Sequence, residues 1–222
     1  MPMLKSILAL SFLTVATVGW LQDKRPVVPL DVGTLIIESV VGGEAVLKIE
    51  AESEEQLENV RVRAPDGRGF LELARGGADQ RGVSGLSTEL REGSLADLRE
   101  HHPEGEYEIR ADRVDGSIAV GRARLSFELP QAPRLLYPRP NAIVPRRGLT
   151  VLWNSDPEAV GYRLQLEQNE TDGLVANLPP GRSSFRVPDG VLTAGVETHL
   201  ELAAIGANGN RTMVELIFTA RP

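Results

Sequence analysis

The chain has 222 residues, a formal net charge of −7, no cysteine and three histidines. Hydrophobic residues make up 41% of it and charged residues 25%, a composition typical of folded globular proteins that excludes wholesale disorder. The absence of cysteine excludes disulfide scaffolds, zinc knuckles and thiolate catalysis. The acidic balance argues against a protein that binds nucleic acid. A chain of this length holds one large domain or two of about 100 residues.

The N-terminus has the layout of a secretory signal. Lys5 precedes an uncharged run from Ser6 to Leu21, after which polar and charged residues begin. The run is shorter than the roughly 20 apolar residues that comfortably span a bilayer. Residues 1–21 are therefore predicted to be a signal peptide. An uncleaved N-terminal anchor is the alternative, because small residues are imperfectly placed for cleavage. Residues 22–31, with their prolines, are predicted to be a linker.

Several windows alternate between apolar and polar residues, as half-buried strands of antiparallel sheets do. The apolar positions of these windows are Ala45, Leu47, Ile49 and Ala51; Tyr107, Ile109 and Ala111; Ala123, Leu125, Phe127 and Leu129; Leu149, Val151 and Trp153; Tyr162, Leu164 and Leu166; Leu200 and Leu202; and Val214, Leu216 and Phe218. Asp-Gly or Asn-Gly pairs, which suit tight turns, start at Asp66, Asp115, Asp172, Asp189 and Asn208. This pattern predicts an all-β chain built as sandwiches or barrels.

One segment breaks the strand pattern. Ser94 is a good helix N-cap, with Asp97 three residues later, and Leu95 and Leu98 form a small apolar stripe. Pro103 follows and ends the turn. The segment is predicted to be a short helix between two strands.

A domain boundary is predicted in the proline-rich stretch from Pro130 to Pro145. It divides the chain into an N-terminal β-rich sandwich domain, residues 32–130, and a second domain, residues 131–222. Both lengths fit a single β-sandwich. The Gly-rich stretch Ala74–Leu90 is predicted to be a long loop, either a binding loop or disordered.

The second domain carries a set of ordered motifs. They are Pro133, Leu149-x-Val151-x-Trp153, Gly161-Tyr162-x-Leu164, Leu192, and the glycines Gly206 and Gly209. In these features residues 133–218 resemble a fibronectin type III domain. The resemblance implies an immunoglobulin-like sandwich in which Trp153 and Leu192 anchor the core and Tyr162 stacks nearby, with Asn210 hydrogen-bonding the backbone of a turn. The family's corner tyrosine is replaced by Thr198 and His199, which implies an altered and looser corner.

The wider chain resembles a group of secreted bacterial proteins known mainly by that domain. The residues that carry this resemblance are Pro103-Glu104-Gly105-Glu106-Tyr107, Val114-Asp115-Gly116, Gly121-x-Ala123-x-Leu125, Leu129-Pro130-x-Ala132-Pro133 and Gly209-Asn210-Arg211-Thr212. The resemblance implies a signal peptide, a β-rich first region and a fibronectin-type second domain. It implies no catalytic residues.

Few residues suggest a catalytic or metal-binding site. Glu100-His101-His102-x-Glu104 is the local group of metal-ligand types, but adjacent residues at a helix end point in different directions, so interaction with the helix dipole is the favoured interpretation. Ser84 lies in the Gly-rich loop without an evident base, and His199 is predicted on the outer face of a strand. Asp112 and Asp115 lack the spacing of a calcium loop. Other carboxylates indicate a solvated rim: Glu50, Glu52, Glu54 and Glu55.

No catalytic, cofactor-binding or metal-binding residue is predicted, and no cofactor. The chain is predicted to be an exported, non-catalytic protein, secreted or periplasmic, that binds a protein or glycan of the cell envelope or serves as a structural module there. Anchoring in the inner membrane, facing the periplasm, is the alternative location. The competing hypothesis is an envelope-polymer hydrolase or an accessory subunit of one.

Overall fold

The structure is a computed structural model that describes residues 25–74, 83–169 and 172–221. Strands account for most of these residues and helix for one short segment, which confirms the all-β prediction. The predicted signal peptide or anchor, residues 1–21, lies outside the described residues. Within the described ranges no helix is long and apolar enough to cross a membrane.

The elements of the first half are β1 (Val27–Pro29), β2 (Val32–Val40), β3 (Ala45–Arg63), β4 (Gly69–Ala74), β5 (Val83–Glu92), α1 (Leu95–His101), β6 (Gly105–Arg113) and β7 (Ile118–Leu125). The elements of the second half are β8 (Arg134–Tyr137), β9 (Ala142–Pro145), β10 (Thr150–Asn154), β11 (Gly161–Gln168), β12 (Asp172–Leu178), β13 (Ser184–Arg186), β14 (Glu197–Ile205) and β15 (Arg211–Arg221).

Strand β3, which is 19 residues long, organises the first half and changes partners along its length. Its first part, Ala45–Glu52, lies between β2 and β5, and its last part, Asn59–Arg63, lies between β4 and β6. Strand β7 pairs with β6 and, in parallel, with β1. The alternate apolar residues of these strands point into one core cluster, here called the first core, as their spacing predicts. Among its fully buried members are Leu47, Ile49, Tyr107 and Ile109.

The predicted helix is confirmed as α1. The Ser94 hydroxyl accepts a hydrogen bond from the Asp97 N–H at 3.2 Å and donates one to its carboxylate at 2.8 Å, so the first turn is capped. Leu98 is fully buried against the first core. The helix therefore fixes the crossing from β5 to β6.

The Gly-rich stretch Ala74–Leu90 is not a single loop, and that prediction is wrong for residues 83–90. Strand β5 begins at Val83 and pairs with β3 along most of its length. Leu86 and Leu90 pack against the first core, and this alternation outweighs the glycines in deciding the conformation. Residues 75–82, the rest of the proposed binding loop, lie outside the described residues.

The predicted linker, residues 22–31, is also partly wrong. Val27–Pro29 form β1 in register with Ile118–Val120, and Leu30 is buried in the first core. The Arg25 guanidinium is 2.8 Å from the Asp112 carboxylate. This part of the chain is held by the first half.

The second half is a β-sandwich. Strand β10 lies between β8 and β13 in a three-stranded sheet, while β12, β11, β14 and β15 lie side by side in the larger sheet. Their apolar faces enclose a second core cluster, which includes Trp153, Tyr162, Leu164, Leu202 and Phe218. Two facing antiparallel sheets are the architecture that the fibronectin type III resemblance implies.

The structural residues named from that resemblance lie inside this core. Trp153 is 1% exposed, Leu192 is 3% exposed, and the Trp153 and Tyr162 ring centroids are 5.6 Å apart. The Tyr162 hydroxyl accepts a hydrogen bond from the Asp156 N–H at 2.6 Å. The tyrosine therefore fixes the turn that precedes its own strand.

The altered corner is closed by a different pair of residues. The buried Gln168 side chain donates to the Thr198 hydroxyl at 2.7 Å and accepts from the Thr193 N–H at 2.9 Å. Thr198 is fully buried. An amide–hydroxyl pair therefore makes the buried hydrogen bonds of this altered corner, and its looser packing stays a prediction.

The Asp172–Gly173 pair is not a turn, contrary to the prediction. Both residues belong to β12, and the left-handed residue before it is Asn169, with φ of 55°. A Cβ on Gly173 would lie 2.9 Å from the Leu166 carbonyl oxygen. This glycine permits a close approach between strands.

Strand β15 joins the two halves. Arg211–Met213 pair in parallel with Glu38–Val40 of β2, so the larger sheet continues across the chain and contains 12 strands. The two core clusters nevertheless stay separate, the first formed by residues between 28 and 129 and the second by residues between 135 and 220. We propose that the chain divides into two domains near residues 130 and 131.

Asn210 lies at the centre of this junction and is 1% exposed. Its Oδ1 accepts a hydrogen bond from the Ile37 N–H at 2.8 Å. Its Nδ2 donates to the carbonyl oxygens of Ser126 at 2.7 Å and Glu128 at 2.9 Å. Asn210 therefore links its turn to the first half. The resemblance implies only hydrogen bonds within the turn, whereas these bonds reach distant parts of the chain.

Candidate functional site

The two histidines of the predicted Glu100–Glu104 group approach one carboxylate, that of Glu92 on β5, and Glu104 does not join them. His101 Nδ1 is 3.2 Å from a carboxylate oxygen of Glu92. Glu104 turns away and accepts a hydrogen bond from the Phe127 N–H at 2.7 Å, where it fixes the end of the first core.

His102 Nε2 is 3.8 Å from the same Glu92 oxygen. Its ring is 5.0 Å from the Phe70 ring, edge to face, and burial lowers the pKa of the imidazole. Within the described ranges, no group of three or more His, Cys, Asp or Glu residues is arranged to hold a metal ion.

The remaining sequence candidates have structural or exposed positions. Ser84 is exposed on strand β5. Asp112 is buried and forms ion pairs with Arg25 at 2.8 Å and Arg61 at 3.0 Å. The two arginines balance the charge of this carboxylate, so its position is explained without a bound cation. Asp115 bonds the backbone of its own turn.

The structure brings together a different set of residues, on the outer surface of β14 and β15. They border an open depression of about 410 Å³, here called the acidic groove. The residues that line it are Pro140, Asn141, His199, Leu200, Glu201, Glu215, Leu216 and Ile217.

The sheet register places two carboxylates of the acidic groove opposite each other. Glu201 on β14 is directly opposite Glu215 on β15. Glu167 on β11 is opposite His199, two residues before Glu201 on β14, so it is a diagonal neighbour of Glu201. Burial raises the pKa of Glu201, and the charges of Glu215 and Glu167 raise it further. Glu201 is therefore a half-buried carboxylate whose charge is disfavoured by its surroundings, the kind of group found at binding sites.

One end of the acidic groove meets the junction between the halves. Glu201 and Arg163 border a small cluster there with Glu38 and Arg211. Glu38 is buried and forms ion pairs with Arg211 and, at 2.8 Å, with Lys48. The parallel β2–β15 pairing thus adds a carboxylate from the first half to the surroundings of Glu201.

Sequence reasoning missed this site because its members are far apart in the chain. Glu167, Glu201 and Glu215 each occupy an outward position in a strand, where a carboxylate indicates only a solvated face. The signal available was that all three strands carry a glutamate on that face. Only the register shows that these residues are neighbours.

The chain matches no family model and no curated protein sequence. Among solved structures it is similar to a two-domain fibronectin type III segment of chicken tenascin, with 12% identity and a TM-score of 0.32 over 83% of this chain and 97% of that one. It is also similar to fibronectin(III)-like modules of Clostridium thermocellum CbhA, with 12% identity and a TM-score of 0.35 over 86% of this chain and 93% of that one.

A third similar structure is a bacterial ice-binding adhesin concerned with host cell surface retention. It shows 14% identity and a TM-score of 0.29 over 87% of this chain and 66% of that one. Similarity at this level says nothing about the ligands of the present chain.

The raised pKa of Glu201 makes stability depend on pH. When a glutamic acid has a higher pKa in the folded than in the unfolded state, the protein loses stability as the pH rises from the ordinary pKa, 4.5, through the folded-state pKa. Glu201→Gln removes that loss. We expect the variant to have a higher Tm than the wild type at pH 7 and no advantage at about pH 4, measured by thermal unfolding across pH.

Glu197→Gln is the matched control, because it removes the same charge from an exposed position on the same strand. A similar gain at pH 7 for both variants would assign the effect to net charge and contradict the environment described for Glu201.

Proposed function

We propose that the chain is an exported, non-catalytic binding module of the cell envelope that takes a basic segment of a partner protein into the acidic groove. The observation that carries this proposal is the sheet register, which places Glu201 opposite Glu215 and diagonal to Glu167. Burial, together with the charges of these two glutamates, raises the pKa of Glu201. An ammonium or guanidinium group placed between these carboxylates relieves their repulsion and forms charge-assisted hydrogen bonds.

The walls of the acidic groove suit the rest of such a side chain. Pro140 and Ile217 border the groove beside the carboxylates, which supplies apolar surface for the aliphatic stem of a lysine or arginine. The neighbouring His199 is exposed, so a longer segment has room to continue along the strand.

A synthetic lysine-rich peptide tests this proposal by calorimetric titration. Wild type is expected to bind it, and Glu201→Gln/Glu215→Gln to bind at least about tenfold more weakly, since two charge-assisted contacts are lost. Affinity is expected to rise with pH through the pKa of Glu201, because the cation binds the ionised carboxylate.

The control is Glu54→Gln/Glu55→Gln, which removes the same two charges from exposed positions of the first half. If both double variants weaken binding equally, the peptide responds to net charge and the acidic groove is not its site.

A hydrolase of envelope polymers is the second candidate function, favoured by the same carboxylates. One carboxyl group with a raised pKa beside an ionised one is the arrangement that glycoside hydrolysis uses. Release of reducing ends from envelope polysaccharide, lost in Glu215→Gln, would support the hydrolase and overturn the non-catalytic proposal. Peptide binding without such release supports the binding module.

Export is proposed from the sequence of residues 1–21. Mass spectrometry of the protein recovered from its native cells tests it. A chain that begins between residues 17 and 24 and is found outside the cytosol is the expected result. An intact Met1 in the membrane fraction would show an anchor facing the periplasm instead, and an intact Met1 in the cytosol would contradict export.

A further inference from the structure

The outer edge of the larger sheet ends at β12, whose one strand neighbour among the described residues is β11. Unpaired backbone N–H and C=O groups at a sheet edge invite pairing with another strand, and proteins normally protect such edges with charges, prolines or short strands. The other edge strands that the structure describes carry such residues: Pro29 in β1, Glu72 in β4, Glu89 and Arg91 in β5, Arg134 in β8, Pro145 in β9 and Arg186 in β13.

Strand β12 lacks this protection. It has seven residues, and after Asp172 the other six are Gly-Leu-Val-Ala-Asn-Leu, with neither charge nor proline. All seven are in unbroken register with β11, so no β-bulge turns this edge away from a second neighbour.

The side chains of β12 are incompletely covered on both faces. Leu174 and Leu178 point toward the second core but are only partly buried, because the sandwich ends at this strand. Val175 points outward and is 50% exposed. A strand added beside β12 would cover apolar surface on both faces of the sheet.

We propose that a second copy of this chain pairs with β12 through its own β12, antiparallel and about a twofold axis near Val175. A twofold interface brings a strand against itself, so it requires a surface that does not repel its own copy. The chain carries a net charge of −7, and Gly173–Leu178 is an uncharged strand on its edge. In this register the two Asp172 residues stay roughly 20 Å apart.

The absence of cysteine allows a direct test on the full chain. Val175→Cys is expected to form a disulfide-linked dimer under mild oxidation, since residues on the axis of an antiparallel pair have Cα atoms about 4.5–5.5 Å apart, within disulfide range. Val160→Cys is the matched control, because Val160 is also 50% exposed and lies outside β12. Because this variant leaves β12 unchanged, it is expected to pair as the wild type does but to form no disulfide-linked dimer.

Sedimentation of the wild type and of two further variants measures the pairing without a cross-link. Val175→Lys places two like charges opposite each other and is expected to raise the dimer dissociation constant by about tenfold or more. Val175→Thr keeps a strand-forming residue and is expected to dimerise as the wild type does. Wild type that sediments as a monomer at every concentration, or equal cross-linking of the two cysteine variants, would overturn the proposal.

Discussion

The hydrogen bonds of one buried side chain, Asn210, connect the two halves of this protein. The amide needs both an acceptor and a donor, and both are used across the junction, toward Ile37 on one side and toward Ser126 and Glu128 on the other. In a site from which water is excluded, a lost partner leaves buried polar groups unpaired, which costs about 1–3 kcal/mol for each group. Thr212 adds a further bond to the Pro130 carbonyl at 2.7 Å.

The surface chemistry depends on this junction. Because Asn210 fixes the start of β15 against β2, Glu38 lies beside Arg211 and contributes to the field around Glu201. The outer face of the sheet then runs from the first half through the acidic groove to the edge strand β12. A ligand in the acidic groove and a second copy at β12 would occupy different parts of one continuous sheet.

Much of the fold follows from local sequence. Period-two alternation places residues such as Leu47, Tyr107 and Trp153 in the core, and the cap at Ser94 locates the helix. The failures occur where a longer-range contact outweighs a local signal. Strand β5 forms in a Gly-rich stretch because Leu86 and Leu90 have a core to cover, and Gly173 serves a close strand contact where its sequence suggests a turn.

The candidate site was not predictable in the same way. Each of its carboxylates has the pattern of an ordinary solvated residue, and only the pairing of β11, β14 and β15 brings them together. The long-range hydrogen bonds of Asn210 were not predictable either. The residue has the sequence context of a turn, whereas the partners of its side chain lie 82 to 173 positions away along the chain. Register and long-range pairing depend on the whole sheet.

Calorimetric unfolding of Asn210→Ala, with the exposed Asn177→Ala as the control, tests the junction most directly. The wild type and Asn177→Ala are expected to unfold in one transition, since a shared sheet and a buried amide couple the halves. Asn210→Ala is expected to lose about 2–4 kcal/mol and to unfold in two resolved transitions. Two transitions in the wild type, or an unchanged single transition at the wild-type temperature in Asn210→Ala, would contradict the account.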